Sequence, residues 1–325
     1  MRPWKSCVAL IVSAAALAAG AQSPAPYPSR TIKWIVPYPP GGITDSVTRL
    51  ITQRVQDALG QPIVIENKPG ANSIVGVDLA AKSPPDGYTV LTVIAAHAAN
   101  ATLYSGKLPF DSVKSFIPVS LVASAPLILT VSNDFPAKDA REFIAYARAN
   151  PGKISYATSG IGSASHLTTE LLQQTAGIRM VHVPYKGTGP ALAALIAGDI
   201  HMMVDVPSSM MPQVRGGKIR AIAMFAAKRV AAASEVPTLA EGGGPAIEGS
   251  TWVMFMVPAG TPREAVSRLS AEVGRTMAGA ELRNRFEQLG IEPLGTTPEQ
   301  AARFLDDEIA KWAKVITTAG VKAEQ

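Results

Sequence analysis

The residues best suited to chemistry lie in two glycine-containing loops. The first, Pro37-Tyr38-Pro39-Pro40-Gly41-Gly42-Ile43-Thr44-Asp45, joins a strand-like run to a helix-like run. Its glycines let the backbone approach a ligand closely, and a helix start there adds free amides and about half a positive charge. The loop therefore suits an anion. A tight strand-to-helix turn with Asp45 as a first-turn charge explains the same residues equally well.

The second loop, Ala157-Thr158-Ser159-Gly160-Ile161-Gly162-Ser163-Ala164-Ser165-His166, carries two glycines and four hydroxyl groups that could contact an oxyanion. It narrowly misses the dinucleotide-binding fingerprint, because Ser165 stands where the third glycine belongs. That fingerprint also needs an acidic residue about 20 positions further on to bind the ribose. No acid occurs between Glu170 and Asp199. We therefore reject nicotinamide binding, and an anion-binding loop remains.

A third loop, residues 183–190, opens another predicted helix, with Pro190 near its first turn. Lys186 in this loop could neutralise an acidic ligand or be an ordinary solvated lysine. Asp205 follows a predicted strand, and ligands of open α/β sheets bind beyond the carboxyl ends of strands. Because an aspartate repels a carboxylate, Asp205 would accept a hydrogen bond from a ligand amine, a ligand hydroxyl or a water. A helix cap is the alternative.

The sequence lacks motifs for catalysis and for metal binding. It contains no Gly-x-Ser-x-Gly elbow, no Walker loop and no His-Glu-x-x-His. The four histidines, at positions 97, 166, 182 and 201, are scattered, and His166 with Glu170 supplies too few ligands for zinc. We interpret His166 as a helix-start residue that donates to a neighbouring loop. No enzyme activity, cofactor or metal is expected.

Composition narrows the class of protein further. Of 325 residues, 47% are hydrophobic and 17% charged, which excludes a disordered chain or a coiled coil. The formal net charge of +5 is not gathered into a basic patch, so nucleic-acid binding is not expected. A single cysteine excludes a disulfide framework.

The N-terminus, residues 1–21, has the pattern of a secretory signal peptide. Arg2 and Lys5 precede an apolar run over 7–19, and Ala19-Gly20-Ala21 forms a small-residue cleavage site before Gln22. A membrane anchor is the alternative, but the run is too short for a span, which needs about 20 residues. We expect a soluble exported protein whose mature chain contains no cysteine.

Strand-like and helix-like runs alternate along the chain in two series. This alternation predicts an α/β protein with parallel sheets covered on both faces, arranged as two lobes. We place the first lobe in residues 22–124 plus 250–325 and the second in 125–249. The predicted strands are 31–36, 62–66, 88–94, 127–131, 153–157, 179–183, 200–204, 218–225 and 252–257. The predicted helices are 47–59, 74–81, 139–149, 163–176, 190–197, 209–215, 263–277, 280–289 and 298–319, the last of which return to the first lobe.

Short motifs in a fixed order carry a resemblance to a known family over residues 27–320. The chain resembles the Bug (TctC-type) extracytoplasmic solute receptors of tripartite tricarboxylate transporters. The motifs include Ile35-Val36-Pro37-Tyr38-x-x-Gly41-Gly42-x-x-Asp45, Glu66-Asn67-Lys68-Pro69-Gly70-Ala71, Pro85-Asp86-Gly87-Tyr88-Thr89, Ser159-Gly160-x-Gly162-Ser163-x-x-His166-Leu167, His182-Val183-Pro184-Tyr185-Lys186-Gly187 and Pro258-Ala259-Gly260-Thr261-Pro262. Each motif is weak alone, and together they are specific.

The resemblance implies a periplasmic receptor with the type II periplasmic-binding-protein (Venus flytrap) fold, each lobe a sheet flanked by helices. It implies a small carboxylic acid ligand, transient contact with membrane permease subunits, and a monomer without catalysis, metal or cofactor. The carboxylates would be held by one loop from each lobe, partly through waters, with Asp205 in the cleft. The implied ligand-binding residues are Tyr38, Gly41, Gly42, Asp45, Ala96, Ser159, Gly160, Ser163, His166, Tyr185, Gly187, Thr188 and Asp205.

Three positions depart from the family pattern, and they affect the expected size of the pocket. Asn72-Ser73 replaces a frequent glycine pair, Met254 replaces a frequent glycine, and Ala101 replaces a frequent proline. Two alternative functions stay open. A sensory receptor would dock a sensor kinase instead of a permease, and a secreted hydrolase or isomerase would use His166 and Asp205.

Overall fold

The computed structural model describes residues 27–323, so the predicted signal peptide lies outside the described residues. The strands are β1 Ile32–Val36, β2 Ile63–Asn67, β3 Thr89–Ile94, β4 Phe116–Pro126, β5 Ile128–Ser132, β6 Ser155–Thr158, β7 Val181–Pro184, β8 Met202–Asp205, β9 Ile219–Met224, β10 Ser250–Pro258 and β11 Glu292–Pro293. The helices are α1 Ile43–Leu59, α2 Ile74–Ala81, α3 Ala95–Leu103, α4 Ala140–Ala149, α5 Ala164–Ala176, α6 Thr188–Ala197, α7 Pro207–Arg215, α8 Arg263–Ala278, α9 Ala280–Gln288 and α10 Pro298–Ala319.

The strands form two mixed sheets, each flanked by helices. The first sheet has the order β11-β4-β10-β3-β1-β2 and the second β7-β6-β8-β5-β9. We call each sheet with its helices a lobe, the six-stranded sheet marking the first lobe. The predicted two-lobe α/β architecture is confirmed.

The prediction that both sheets are parallel is wrong for two strands in particular. β1, β2 and β3 are parallel to one another, as are β6, β7 and β8. β10 is antiparallel to both β3 and β4, and β5 is antiparallel to both β8 and β9. β5 and β10 are the strands by which the chain enters each sheet from the other one. They enter without the crossover helix that parallel pairing requires.

The two places where the chain passes between the sheets lie side by side. β4 leads into β5 through Leu127, and Gly249 immediately precedes β10. The Leu127 amide donates to the Gly249 carbonyl at 3.0 Å, and the Gly249 amide donates to the Phe225 carbonyl at 3.0 Å. A Cβ atom at Gly249 would lie 2.3 Å from Thr168 Cγ2 of α5, so only glycine fits there.

Besides the two-residue strand β11, two elements of the structure have no counterpart among the predicted ones. α3 is rich in alanine, and its residues 95–100 are all buried, so no polar stripe reveals its period. β4 covers 11 residues that are interrupted by serines and prolines. Both elements belong to the first lobe, and α3 takes part in the site described below.

The C-terminal helix packs against a strand of the first lobe. Buried Glu308 of α10 accepts a hydrogen bond from Trp252 Nε1 of β10 at 2.8 Å and another from Trp312 Nε1 at 2.7 Å. Among residues 27–323, no helix is both long enough and apolar enough to cross a bilayer.

Candidate ligand-binding site

The predicted loops all leave the carboxyl ends of parallel strands. β1 and β3 end next to each other in the first sheet; a loop leads from β1 to α1, and α3 follows β3 directly. β6, β7 and β8 end at one edge of the second sheet, and the loops after them begin α5, α6 and α7. The helix N-termini of each lobe are therefore gathered at one edge, where α/β folds bind ligands.

Asp45 organises the first loop. Its carboxylate accepts hydrogen bonds from the Gly41 amide at 3.0 Å, from Arg49 Nε at 2.9 Å and from Asn67 Nδ2 at 3.0 Å. Asn67 also donates to the carbonyl of Tyr38 at 3.0 Å. Burial alone would raise the pKa of Asp45, but these hydrogen bonds outweigh it and hold the pKa below its usual range. Asp45 therefore holds the loop in shape, and the Gly41 amide is already occupied.

The start of α1 offers further amides in the first loop. Gly42 is the N-cap residue and provides no side-chain cap, and the first helical bond runs from the Ser46 amide to the Gly42 carbonyl. Within residues 27–323, the amides of Gly42, Ile43 and Thr44 have no protein acceptor. They keep the positive partial charge of a helix N-terminus.

Ser163 caps α5 in the second loop. Its hydroxyl accepts from the His166 amide at 3.3 Å and donates to the Gly160 carbonyl at 2.7 Å. The Gly162 amide donates to His166 Nδ1 at 3.1 Å. His166 is thus a hydrogen-bond acceptor in this loop, which corrects the prediction that it donates. Its ring turns back under the loop because the residue lies in the first turn of α5.

Three aromatic rings stack beneath the second loop. The rings of His166 and His182 lie 3.9 Å apart between centroids, and Tyr156 stacks on His182 at 4.9 Å. The Tyr156 hydroxyl donates to Glu170, and Thr158 Oγ1 lies 2.7 Å from His182 Nε2. Burial lowers the pKa of His182 to about 4, and burial together with His182 lowers the pKa of His166 to about 3. Both imidazoles are therefore neutral.

Sequence reasoning missed this stack because its members are up to 26 positions apart. The signal that could have found it is the parallel register of β6 and β7, which pairs Tyr156 directly with His182. Glu170 lies one helical turn after His166, with an oxygen 3.9 Å from His166 Nε2. Burial raises the pKa of Glu170.

The third loop lies against the second. The Gly187 amide donates to the Ser159 carbonyl at 3.1 Å, and the Tyr185 amide donates to the Thr158 carbonyl at 3.1 Å. The structure thus brings together the predicted residues of the second lobe that come from β6, β7 and their loops. Lys186 between them is exposed.

Asp205 connects the third loop to the end of β8. Thr188 Oγ1 donates to its carboxylate at 2.8 Å, and the Val206 amide donates to it at 2.7 Å. Burial raises the pKa of Asp205, although both hydrogen bonds oppose the rise. Asp205 is not the cap of α7, because the N-cap position belongs to Val206. Its contacts instead fix the first residue of α6.

The two lobes touch at the second loop. A Cβ atom added at Gly162 would lie 2.4 Å from Leu103 Cδ1 and 3.5 Å from Asn72 Nδ2, both of the first lobe. Asn72 Nδ2 donates to Asn100 Oδ1 at 2.8 Å, and Asn100 Nδ2 donates to the Asn72 carbonyl at 2.8 Å. Leu103 and Asn72 are contact residues that sequence reasoning did not include among the site residues.

Ala96 is the predicted site residue contributed by α3. It is buried in the first turn of that helix, directly after β3. Because β3 runs parallel to β1, Ala96 is at the same sheet edge as the first loop. Among residues 27–323 there is no group of three or more His, Cys, Asp or Glu residues that could hold a metal ion.

Comparison with known proteins identifies the family. The sequence matches the family described as "Tripartite tricarboxylate transporter family receptor" over residues 47–321. The chain belongs to this family of transporter receptors. The resemblance predicted from the ordered motifs is therefore confirmed, and the chain is a solute-binding receptor of the TctC/Bug type.

Three solved structures of related receptors illustrate the similarity. Rpa4515 of R. palustris, solved with adipate, is 34% identical with a TM-score of 0.83, covering 91% of this chain and 99% of that one. The periplasmic binding protein BugD is 33% identical with a TM-score of 0.80, covering 92% and 100%. MatC of Rhodopseudomonas palustris, with bound malate, is 35% identical with a TM-score of 0.77, covering 89% and 100%.

Proposed function

We propose that this receptor binds a small carboxylic acid between its two lobes and delivers it to the permease of a tripartite tricarboxylate-type transporter. The observation that carries the proposal is the set of uncapped amides at the start of α1, which lies at the same sheet edge as the start of α3. An anionic group there would receive hydrogen bonds and helix-dipole stabilisation without a metal. Adipate in Rpa4515 and malate in MatC are ligands of the same chemical class.

The donors we assign to the ligand come from both lobes. From the first lobe we assign the amides after Gly41, the Tyr38 side chain and the start of α3 at Ala96. From the second we assign the side chains of Ser159 and Tyr185 and the backbone at Gly160 and Thr188. Ser163 and Gly187 shape these loops instead, because the Ser163 hydroxyl already donates to Gly160 and the Gly187 amide to Ser159. Asp45, His166 and Asp205 are assigned to holding the loops in shape and not to contacting the ligand, since each already accepts a hydrogen bond from a loop residue.

The expected affinity follows from the number of donors. A hydrogen bond to a charged group contributes about 1.5–3 kcal/mol net. Four to six such bonds, less the costs of ordering and closure, give roughly −8 kcal/mol, which corresponds to a Kd near 1 μM.

We also propose how the chain divides and where it acts. The lobes would separate at 124/125 and 249/250, close to the paired connections at Leu127 and Gly249. Export through residues 1–21 would bring a monomeric receptor to the periplasm, where BugD also belongs by its description. Catalysis by His166 and Asp205 is disfavoured, because His166 Nδ1 and both Asp205 oxygens are engaged in internal hydrogen bonds.

Thermal unfolding of the chain from Gln22 onwards tests the proposal. Succinate, malate, adipate and other acids are compared with their amides. A ligand at about 100 times its Kd adds roughly 2.7 kcal/mol of stability. We expect at least one acid to raise the Tm by several degrees while its amide does not. Equal shifts with acids and amides would contradict the role of the helix N-termini.

A further inference from the structure

A groove in the second lobe is lined by two arginines and by mostly apolar residues. It has a volume of about 420 Å³ and lies between α4, the C-terminal end of α5 and the loop of Gly243, Gly244 and Pro245. None of the described residues that line it is acidic. All of them belong to the second lobe, so this groove is separate from the proposed ligand site between the lobes.

The two arginines lie on one face of α4. Arg141 and Arg148 are two helical turns apart, so their Cα atoms are separated by about 10 Å along the helix axis. Arg148 is held in place, because its Nε and Nη2 donate to the carbonyl of Ala176 at 3.0 Å and 2.8 Å. The exposed Arg141 side chain lies beside Gly243, where an added Cβ atom would be 3.0 Å from Arg141 Nε. Both guanidinium groups are therefore positioned along the groove.

The charges of these arginines are not neutralised by the described part of the chain. Neither Arg141 nor Arg148 forms an ion pair within residues 27–323, and the Arg141 side chain donates no hydrogen bond there. A guanidinium group binds a carboxylate through two parallel hydrogen bonds, so the groove favours carboxylates. One exposed ion pair contributes little, so a small free anion would bind weakly. A polypeptide with two carboxylates would form both pairs and also cover the apolar side chains of Ile144 and Pro245.

We propose that this groove docks an acidic segment of the permease, with two carboxylates three residues apart and apolar residues between them. An extended chain advances about 3.4 Å per residue, so this spacing matches the two arginines. The choice of the permease as partner rests on the proposed function. Because the groove lies within one lobe, its shape does not depend on the angle between the lobes. It therefore binds the partner equally well whether or not the receptor holds its acid.

Synthetic peptides and matched variants test this proposal. Fluorescence anisotropy at low salt compares labelled Ac-Glu-Glu-Leu-Leu-Glu-Glu-amide with the same peptide carrying glycines for leucines or lysines for glutamates, each on the chain from Gln22 onwards. The variants are Arg141→Gln and Arg141→Glu, which should fold because the Arg141 side chain has no hydrogen bond to lose within residues 27–323. Arg283→Gln makes the same change at an exposed arginine of the first lobe. Lys186→Gln detects peptide that binds at the ligand loops instead.

We expect saturable binding of the leucine peptide, weaker binding of the glycine peptide and no binding of the lysine peptide. The affinity for the leucine peptide should fall about fivefold in Arg141→Gln and about tenfold or more in Arg141→Glu. Arg283→Gln and Lys186→Gln should change it less than about twofold. Equal affinity of the unmodified chain and Arg141→Glu would overturn the inference, as would a loss that follows Lys186.

Other occupants of the groove and failure of the proposed function give distinct results. Arg141-dependent binding of inorganic phosphate or of phosphatidylglycerol vesicles, without binding of the peptide, would overturn the inference. The Tm shift caused by small acids should be the same in Arg141→Glu as in the unmodified chain. Absence of that shift in both would contradict the proposed function, whereas the peptide affinities test the groove by themselves.

Discussion

The Gly162 amide donates a hydrogen bond to Nδ1 of His166 at 3.1 Å, across a single turn at the start of α5. This bond requires an imidazole whose Nδ1 carries no proton: the low pKa of His166 keeps the ring neutral at neutral pH, and the bond itself selects the tautomer with its proton on Nε2. The loop that contacts the first lobe is therefore shaped by a neutral histidine beneath it.

Replacement of His166 by phenylalanine should keep a stacked ring but lose the acceptor. The buried Gly162 amide would then be unpaired, which costs about 1–3 kcal/mol. We expect a lower free energy of unfolding in urea and an acid affinity weakened by about tenfold. His201→Phe is the matched control, since its Nδ1 also accepts from a backbone amide, that of Ser155, but in an exposed setting. An equal loss of stability in both variants would contradict the idea that the cost comes from burying an unpaired Gly162 amide.

Stability should fall as the pH is lowered below about 6.5. Burial lowers the pKa of His97 and His182 to about 4 and that of His166 to about 3, against 6.5 in the unfolded chain. The unfolded chain therefore binds more protons between pH 6.5 and 4, and stability declines by up to about 1.4 kcal/mol per pH unit for each histidine. The raised pKa values of Glu170 and Asp205 act in the opposite direction and offset part of the decline.

Urea unfolding at pH 8, 7, 6, 5 and 4.5 measures this dependence. His97→Phe should flatten the curve, because its imidazole is buried with the carbonyl of Ser112 as its hydrogen-bond partner. A curve that stays level down to pH 4.5 in the unmodified chain would show that these histidines titrate normally.

A methyl group at Gly162 should hinder closure of the lobes. Its Cβ would lie 2.4 Å from Leu103 Cδ1, so the lobes must separate slightly or Leu103 must move. We expect Gly162→Ala to weaken acid binding by about tenfold or more and to leave a larger radius of gyration in ligand-saturated X-ray scattering. Adding Leu103→Ala should recover part of the affinity.

A side chain at Gly162 also strains the backbone, because its φ is 76°, so this effect needs a control. Gly198→Ala introduces the same methyl group at a similar φ, 83° against 76°, with nothing within 4 Å of the new atom. It should cost stability without affecting the affinity for acid. If Gly198→Ala weakened binding as much as Gly162→Ala, contact between the lobes would not be the cause.

Removal of the Asp45 carboxylate should disorganise the first loop. Asp45→Ala leaves the Gly41 amide, Arg49 and Asn67 without their shared acceptor, and we expect a loss of about 2 kcal/mol together with weaker acid binding. Arg49→Met should cost less, since it removes only one of the three donors. Lys82→Met, which breaks an exposed i,i+4 pair with Asp78, should cost about 0.5 kcal/mol or less. A loss no larger for Asp45→Ala than for Lys82→Met would refute this role.

Sequence patterns predicted most elements because their apolar spacing is regular. The helices 74–81 and 298–319 have the same bounds in the structure. α3 was not predicted, because a helix buried on nearly all sides has no polar face. The directions of β5 and β10 could not be predicted either, because they depend on tertiary connections. Within the site, the loops were predictable from glycines and neighbouring strands. The bond from Thr188 to Asp205 was not, since a helix and a strand separate these residues.

The paired connections at Leu127 and Gly249 restrict how the lobes can move. In the described part of the chain they are the two covalent crossings between the sheets, and they are hydrogen-bonded to each other. Rotation of one lobe against the other is therefore expected about a single axis that runs through this pair. Along such an arc, a longer acid would stop the approach of the loops at a wider angle and a shorter one at a narrower angle. The length of the ligand would then determine the angle between the lobes, and with it the shape of the surface that the receptor presents to the membrane.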